Sequence, residues 1–286
     1  MKINWKGIFC LVLTLMGMLT FAQDEESEEK RAWSDKAELG AVFTGGNSES
    51  STFSFKNDYT YGWDNANFTF KAGGFRAESV TFTRFAVGNP SDFQVIEEKT
   101  RETTGEKYFI NLKYDRQINE TFFWFTGLDW DRNEFAGIEN RYSVNAGVGN
   151  IWVDSDRQKF RTDYGFQYTK EDLVFETVGS DDSYASAIAS YKFFQKVGKN
   201  SDFKQDFKFN LNLDDTDDWR VELDNGFTTA ISGMVALKVG LLLLFDNQPA
   251  FTEISLRDSD GNDIGNVAYE LDDLDTVFTT SLVINF

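Results

Sequence analysis

The chain has 286 residues, of which 41% are hydrophobic and 16% aromatic, and it contains 29 Phe, 22 Gly and only 2 Pro. This composition excludes a disordered protein and favours strands and tight turns over helices. The formal net charge of −19 argues against nucleic acid as a partner, because an acidic protein repels phosphate backbones.

The first predicted element is a secretory signal peptide over residues 1–22. Lys2 and Lys6 precede an apolar run, and Thr20 and Ala22 are small residues at the two recognition positions of a cleavage site. The run is shorter than the roughly 20 residues that a membrane-spanning helix needs, so a cleaved signal is favoured over an uncleaved anchor.

The single cysteine, Cys10, lies within this signal. After cleavage the protein would therefore have no disulfide and no thiolate ligand or nucleophile. Residues 23–34 are rich in acidic side chains and are predicted to form a flexible tail on the periplasmic side. The folded domain is predicted to cover residues 35–286.

Alternation with a period of two runs through the rest of the chain and predicts about twelve strands. In one example, Phe53 and Phe55 fall on one face of a strand and Lys56 and Asp58 on the other. An even number of strands of about ten residues is typical of bacterial outer-membrane barrels, so we predict an all-β, transmembrane, antiparallel up-and-down β-barrel. The predicted strands are residues 36–45, 51–62, 66–76, 105–115, 121–131, 140–152, 159–170, 183–194, 202–213, 218–230, 234–245 and 275–286.

The connections alternate between short turns and longer loops. Two loops of nearly thirty residues, 77–104 and 246–273, follow the third and eleventh strands and contain Pro90 and Pro249. Short turns at one rim and long loops at the other are typical of transmembrane barrels, in which the short turns face the periplasm. The even strand count then places both termini on the periplasmic side of the outer membrane.

A soluble β-sandwich is the alternative interpretation, because it too consists of short alternating strands. Its two facing sheets would have to bury large aromatic rows such as Phe203, Phe207 and Phe209. The opposite faces carry charges at mid-strand, which suits a polar lumen better than a solvent-facing sheet. The barrel, with outer-membrane lipid as its surroundings, is therefore favoured.

If the apolar faces meet lipid, the charged residues of the opposite faces line the lumen. Both signs occur among them, with eleven basic and seven acidic side chains, so the lumen is mixed in sign and slightly basic. The large negative excess therefore belongs to the loops and the tail, and the net charge does not by itself indicate a cation pore. The lumen candidates are Lys56, Asp58, Lys71, Lys107, Lys113, Asp129, Asp131, Arg141, Arg161, Asp163, Lys192, Lys204, Asp206, Lys208, Arg220, Glu222, Asp224 and Lys238.

Two stretches resemble the bacterial family of domain of unknown function 481, whose members are often described as salt-induced outer membrane proteins. In that family a Gly-Asn-Ser/Thr turn follows the first strand, as at residues 46–48 here. A Leu/Ile-x-x-Arg-Tyr-Ser strand with two later glycines corresponds to residues 138–143 with Gly147 and Gly149. The loop 246–273 does not match the family pattern. The resemblance implies an outer-membrane location and supplies no catalytic residues.

No enzymatic activity is expected. The outer-membrane hydrolases and acyl-modifying enzymes resemble one another in using a histidine, whose pKa suits proton transfer, and this chain has no histidine. Carboxylate pairs such as Asp129 and Asp131 are more often solvated or ion-paired than catalytic.

A calcium site in the last loop is a weaker prediction, and no other cofactor is expected. Asp258, Asp260 and Asp263 surround Gly261 and supply the oxygen ligands that Ca²⁺ prefers. The spacing departs from that of an EF-hand, since the Gly comes one position early. An exposed Asp/Gly turn is the favoured interpretation.

Two functions remain open. The first is a narrow channel or envelope barrel of unspecific or unknown substrate, linked to osmotic or salt stress by the resemblance alone. Mixed-sign walls can pair across strands, and twelve strands enclose a narrower lumen than a 16-stranded porin, so little conductance is expected. The second is a structural or surface-binding barrel whose long acidic loops bind a ligand, a divalent cation or a partner. The oligomeric state is not indicated by the sequence.

The final strand ends on Phe286 and alternates between apolar and polar residues. An apolar edge strand at a terminus would promote aggregation unless it is paired, so we predict that it closes the barrel against the first strand. The terminal Phe286 also resembles the signal by which the barrel-assembly machinery recognises outer-membrane proteins.

Overall fold

The structure, a computed structural model, describes residues 32–44, 49–89, 92–175 and 182–286. The predicted signal peptide, 1–22, lies outside the described residues, as does the predicted tail up to residue 31. The first strand begins at Trp33, so the last two residues assigned to the tail are already strand.

Fourteen strands form within the described ranges, and a short 3-10 turn, Glu134–Ala136, joins the fifth to the sixth. No helix in these ranges is long and apolar enough to cross a membrane. The strands are β1 (Trp33–Thr44), β2 (Glu49–Gly62), β3 (Ala66–Asn89), β4 (Asp92–Gln117), β5 (Phe122–Asn133), β6 (Ile138–Asp154), β7 (Gln158–Leu173), β8 (Ser183–Val197), β9 (Ser201–Asn212), β10 (Trp219–Ala230), β11 (Val235–Asp246), β12 (Phe251–Arg257), β13 (Asp263–Glu270) and β14 (Leu274–Asn285).

Twelve of these strands close into one antiparallel barrel. Its order is β1, β14, β11 and then β10 down to β2, which pairs again with β1. Strands β12 and β13 pair only with each other and form a separate hairpin between β11 and β14. The predicted fold class, an all-β antiparallel up-and-down barrel of about twelve strands, is confirmed.

The two predicted long loops are largely strand. Strands β3 and β4 are 24 and 26 residues long and stay paired as far as Asn89 and Asp92, forming a ribbon that continues past the end of β2. An ion pair of 2.7 Å between Arg84 and Glu97 joins its two strands. The charged residues of this segment suggested a loop, but they alternate with Val, Thr and Phe, which favour strands.

The chain ends meet at a seam between β1 and β14. Four residue pairs form it, from Lys36 opposite Asn285 to Leu39 opposite Leu282, and the backbone N–H of Phe286 donates to the carbonyl oxygen of Asp35 over 3.0 Å. The predicted closure of the last strand on the first is therefore present. We call this end of the barrel the terminal rim, and the end that holds the 3-10 turn the loop rim.

The outer wall of the barrel is apolar. Phe55 on β2, Phe166 on β7, and Phe278 and Leu282 on β14 are all exposed large side chains, although a soluble sandwich would bury them. Polar residues occupy the alternate, inward positions. An apolar exterior around a polar interior is the arrangement of a transmembrane β-barrel.

Aromatic residues gather at both rims. At the terminal rim the ring of Trp63 lies 4.7 Å from that of Tyr61 and 6.4 Å from that of Tyr114. At the loop rim Trp219 stacks on Phe245 with ring centroids 5.0 Å apart. These positions match the two aromatic girdles of a membrane-spanning barrel.

Candidate functional site

The interior of the barrel gathers the predicted lumen residues in one place. A cavity of about 470 Å³ opens toward the loop rim, and residues from all twelve barrel strands line it. Its lining includes Lys56, Lys107, Lys113, Asp129, Asp131, Arg141, Asp163, Asp206, Arg220 and Glu222. Asp58, Arg161 and Lys204 are absent from the lining and lie closer to the terminal rim.

A belt of ion pairs crosses the lumen about five or six residues in from the terminal rim. Lys71 on β3 reaches Asp206 on β9, the strand diametrically opposite, at 3.8 Å. Lys71 also pairs with Asp58 at 3.4 Å, on the neighbouring strand β2. Lys56 on β2 pairs across four strand positions with Asp224 on β10 at 3.1 Å. The Lys71–Asp206 and Lys56–Asp224 contacts cross the lumen, so the belt interrupts its open space.

The Lys71–Asp206 pair also indicates the cross-section of the barrel. A circular barrel of twelve strands spaced ~4.8 Å apart and tilted by ~40° would be about 24 Å across. Extended Lys and Asp side chains that meet at 3.8 Å span roughly 14 Å between their Cα atoms. The two walls are therefore closer than a circular section allows, and the barrel is flattened across this pair.

A second group of ion pairs lies on the terminal-rim side of the belt. Lys113 on β4 pairs with Asp163 on β7, three strands away, and with Asp115 at 3.5 Å. Arg161 on β7 reaches back to Asp115 at 3.0 Å and contacts Asp163 at 3.1 Å. Both carboxylates are nearly buried. Each charge thus has two opposite charges beside it, which offsets the loss of water around it.

Two phenylalanine rings support this group from the barrel wall. The ammonium of Lys113 lies 4.2 Å from the ring centroid of Phe125, and the guanidinium of Arg161 lies 4.2 Å from that of Phe123. Both rings point inward and are almost completely buried, with 3% and 1% of their surface exposed. They are exceptions to the rule that aromatic rows face lipid, and Gly149 on β6 leaves room for the Phe123 ring.

A third group is centred on Arg220 near the loop rim. Its guanidinium contacts Asp246 at 2.8 Å, Glu171 at 3.6 Å and the hydroxyl of Tyr184. Arg141 donates to the same Glu171 carboxylate at 2.8 Å. Two arginines therefore share one buried carboxylate, and the group ties together strands β6, β7, β8, β10 and β11.

The connection from β11 to β12 partly covers the mouth at the loop rim. Gly137, which follows the 3-10 turn, has a φ of +73° and lies directly beneath Ala250, so that a Cβ at residue 137 would overlap the Ala250 methyl group. The side chain of Leu271 approaches the same point. Pro249 and Leu271 both line the cavity. The β12–β13 hairpin thus has a stem that extends across the mouth and rests on the opposite turn.

The predicted calcium ligands lie in the turn between β12 and β13. The Asp258 carboxylate accepts hydrogen bonds from the backbone N–H groups of Asp260 and Asn262 and from the Asn262 amide, and these bonds lower the pKa of Asp258. Across the described ranges, no three acidic side chains are grouped so that they could hold a metal ion. Calcium binding by Asp258, Asp260 and Asp263 stays a prediction.

Five members of the interior network were not among the sequence candidates: Glu38, Asp115, Glu171, Tyr184 and Asp246. Glu38 accepts a hydrogen bond from Lys238 at 2.8 Å. It lies two residues after Lys36 and therefore on the same face of β1, so alternation would have identified it. Glu171 and Asp246 each lie one residue past a predicted strand end. Tyr184 is buried with its hydroxyl on Arg220 and Glu171, and alternation from Lys192 on the same strand would have placed it inward.

The sequence matches the model of one protein family, and the structure is similar to several solved β-barrels at low sequence identity. The model of a family described as protein of unknown function, DUF481, matches residues 37–260. No curated protein sequence matches the chain. Among solved structures, the NanC porin is 11% identical with a TM-score of 0.42, covering 88% of this chain and 97% of that one.

Two further structures are similar at the same level. The translocator domain of the autotransporter NalP from Neisseria meningitidis has a TM-score of 0.42 at 9% identity, covering 98% of this chain and 97% of that chain. An anion-selective porin from Comamonas acidovorans has a TM-score of 0.38 at 10% identity, covering 89% and 98%. At such scores, nothing about ligands of the present chain follows from these proteins.

Proposed function

The chain belongs to the DUF481 family of proteins of unknown function, and we propose that it forms a narrow channel in the bacterial outer membrane, held nearly closed by ion pairs. In this proposal both termini face the periplasm, because the terminal rim carries the short turns. The barrel-assembly machinery is the partner expected during insertion, and no catalysis is expected. A link to salt or osmotic stress stays a prediction.

The observation that supports this proposal is the ion pair between Lys71 and Asp206 on opposite walls. Water and small ions would have to pass around this contact and around the parallel Lys56–Asp224 pair. Both pairs are partly exposed to the cavity, so they can separate at modest free-energy cost. The channel is therefore expected to conduct weakly and to open further when the pairs are removed.

Single-channel recording in planar bilayers tests the proposal. We expect small or rare current steps for the natural chain. The charge-neutral double variant Lys71→Gln/Asp206→Asn should conduct several-fold more, and adding Lys56→Gln/Asp224→Asn should raise the conductance again. The matched control is Lys159→Gln/Asp154→Asn, which removes an exposed pair outside the lumen and should change nothing. The proposal would be contradicted by a large conductance of the natural chain. It would also be contradicted if the variant with all four substitutions showed no current.

A surface-binding barrel is the second candidate. Its support is the β3–β4 ribbon, which carries exposed Phe85, Val87, Val95 and Ile96 beyond the barrel wall. Apolar side chains grouped on a projecting ribbon suit contact with another macromolecule. A barrel that stays silent in all the recordings above, and that loses a surface partner when the ribbon is shortened, would favour this candidate.

A further inference from the structure

Four polar side chains stand together on β8 and β9, from the level of the ion-pair belt toward the loop rim. Ser190 and Lys192 on β8, and Lys208 and Asn210 on β9, all line the cavity. Ser190 lies directly opposite Lys208 in the strand register. We call this group the β8–β9 patch. It presents two ammonium groups, a hydroxyl and an amide to the same part of the cavity.

The protein itself supplies few hydrogen-bond acceptors to the donor groups of the patch. Within the described part of the chain, Lys192 has no hydrogen bond and no ion pair within 4.0 Å. Lys208 donates only to the neutral amide oxygen of Gln167, at 3.2 Å. The same ranges show no hydrogen bond of the Ser190 hydroxyl or the Asn210 amide. The patch therefore retains most of its donors for a ligand.

Nearby carboxylates are engaged by other cations. Asp206, opposite Lys192 in the register, contacts Lys71, and Asp163 contacts Lys113 and Arg161. Glu222 lies opposite Lys208 on β10 but forms no ion pair within 4.0 Å in the described residues. Glu222 is thus the internal group that would compete with an anionic ligand for Lys208.

Two ammonium groups in a narrow, partly desolvated lumen are unfavourable without a counter-charge. A small oxyanion could accept hydrogen bonds from Lys192 and Lys208 together with the neutral donors, and such charge-assisted bonds are strong. We infer that the β8–β9 patch is a binding site for a small molecule that carries a carboxylate or phosphate group, entering from the loop rim.

The cavity supports this assignment by its size, whereas the acidic charge at its mouth opposes the entry of an anion. A volume of about 470 Å³ is that of a small-molecule pocket, and its lining extends from the loop rim to the belt and to Lys113 and Asp163 just beyond it. The acidic side chains Asp272 and Asp273 near the mouth would slow the entry of an anion at low ionic strength. The site does not require the barrel to conduct, so it can exist whether the channel proposal holds or fails.

Isothermal titration calorimetry with inorganic phosphate tests the inference on the folded barrel in an uncharged detergent at low chloride. The natural chain should bind phosphate, and Lys192→Gln and Lys208→Gln should each weaken binding at least tenfold. Glu222→Gln should strengthen it, because the competing carboxylate is gone. Lys196→Gln, at the exposed terminal-rim end of β8, is the matched control and should bind like the natural chain.

Heat-modifiable migration in gels verifies that each variant is folded. The inference is overturned if the natural chain does not bind phosphate. It is also overturned if Lys192→Gln and Lys208→Gln, shown to be folded, bind as tightly as the Lys196→Gln control. Titration of acetate into the same variants distinguishes two kinds of site. If the site accepts any oxyanion, the Lys192→Gln and Lys208→Gln variants lose affinity for acetate and phosphate in parallel. If the site is selective for phosphate, they lose affinity for phosphate alone.

Discussion

The ring of Phe123 on β5 occupies the space inside the barrel that a side chain at residue 149 on β6 would need. A Cβ built on Gly149 overlaps this ring and approaches the backbone carbonyl of Thr162. The ring in turn supports the guanidinium of Arg161. A glycine on one strand thus makes room for an aromatic ring on its neighbour, and the ring positions a charged group in the lumen.

The substitution Gly149→Ala should therefore destabilise the barrel. The added methyl group forces the Phe123 ring or the backbone to shift, and such overpacking reduces the free energy of unfolding by about 1–3 kcal/mol. Urea unfolding in lipid vesicles, followed by tryptophan fluorescence, measures this. Gly233→Ala is the control, since nothing lies within 4 Å of a Cβ there, and its effect should stay within about 0.5 kcal/mol.

Removal of the Arg220 side chain should cost more than removal of any exposed cation. Arg220→Met leaves the half-buried Asp246 without a counter-charge and the buried Glu171 with Arg141 alone, which we expect to destabilise the barrel by about 3 kcal/mol. Lys159→Gln breaks an ion pair whose side chains are 59% and 62% exposed, and should change the free energy of unfolding by less than about 0.5 kcal/mol. Equal effects of the two substitutions would contradict a structural role of the Arg220 group.

Deletion of the β12–β13 hairpin should leave the barrel folded and widen its mouth. In the described residues the hairpin pairs only with itself, so replacing residues 249–271, which include the stem residues Pro249, Ala250 and Leu271, with a short Gly-Ser linker removes no barrel pairing. The substitutions Glu222→Cys and Cys10→Ser leave one cysteine, which lines the cavity. This cysteine should react several-fold faster with a bulky maleimide in the deletion variant than in the full-length chain. Asp260→Ala at the hairpin tip is the control and should not change the rate. An unchanged rate in the deletion would show that the stem does not restrict entry.

Loss of Phe286 should impair assembly of the barrel. This residue closes the terminal rim through its hydrogen bond to Asp35, next to a seam of four residue pairs. Deleting it should lower the yield of heat-modifiable barrel in the outer membrane several-fold, whereas Phe286→Tyr should retain most of the yield. A normal yield of the deletion variant would contradict both the seam and the proposed assembly signal.

The fold was largely predictable because lipid and lumen impose opposite chemistry on alternate residues. On β2 the contrast between Phe55 and Lys56 is clear, and the assigned faces agree with the structure. On β5 aromatic residues occupy both faces, so ring type does not separate lipid from lumen there, and alternation from Asp129 and Asp131 is what places Phe123 inward. The length of β3 and β4 was missed because charged residues are found both in a solvated two-stranded ribbon and in a loop, so their presence does not distinguish the two.

The pairing inside the lumen could not be predicted from the sequence. Alternation places Lys71 and Asp206 on inner faces, but their contact depends on which strands lie opposite and on how far the barrel is flattened. Both properties follow from closure of the whole sheet. In the described part of the chain Lys192 forms no ion pair, although Asp206 lies opposite it, and this likewise emerges only when all the neighbouring carboxylates are placed.

The seam between β1 and β14 joins residues about 250 positions apart in the chain, whereas most other strand pairs in the barrel join consecutive strands. Local hairpins can form early, because they close short loops, but this contact must wait for nearly the whole chain. The barrel therefore has a natural last step of folding. Its slowest event is expected to be the meeting of its two ends, and a partly assembled chain would expose both of its unpaired edges until that event occurs.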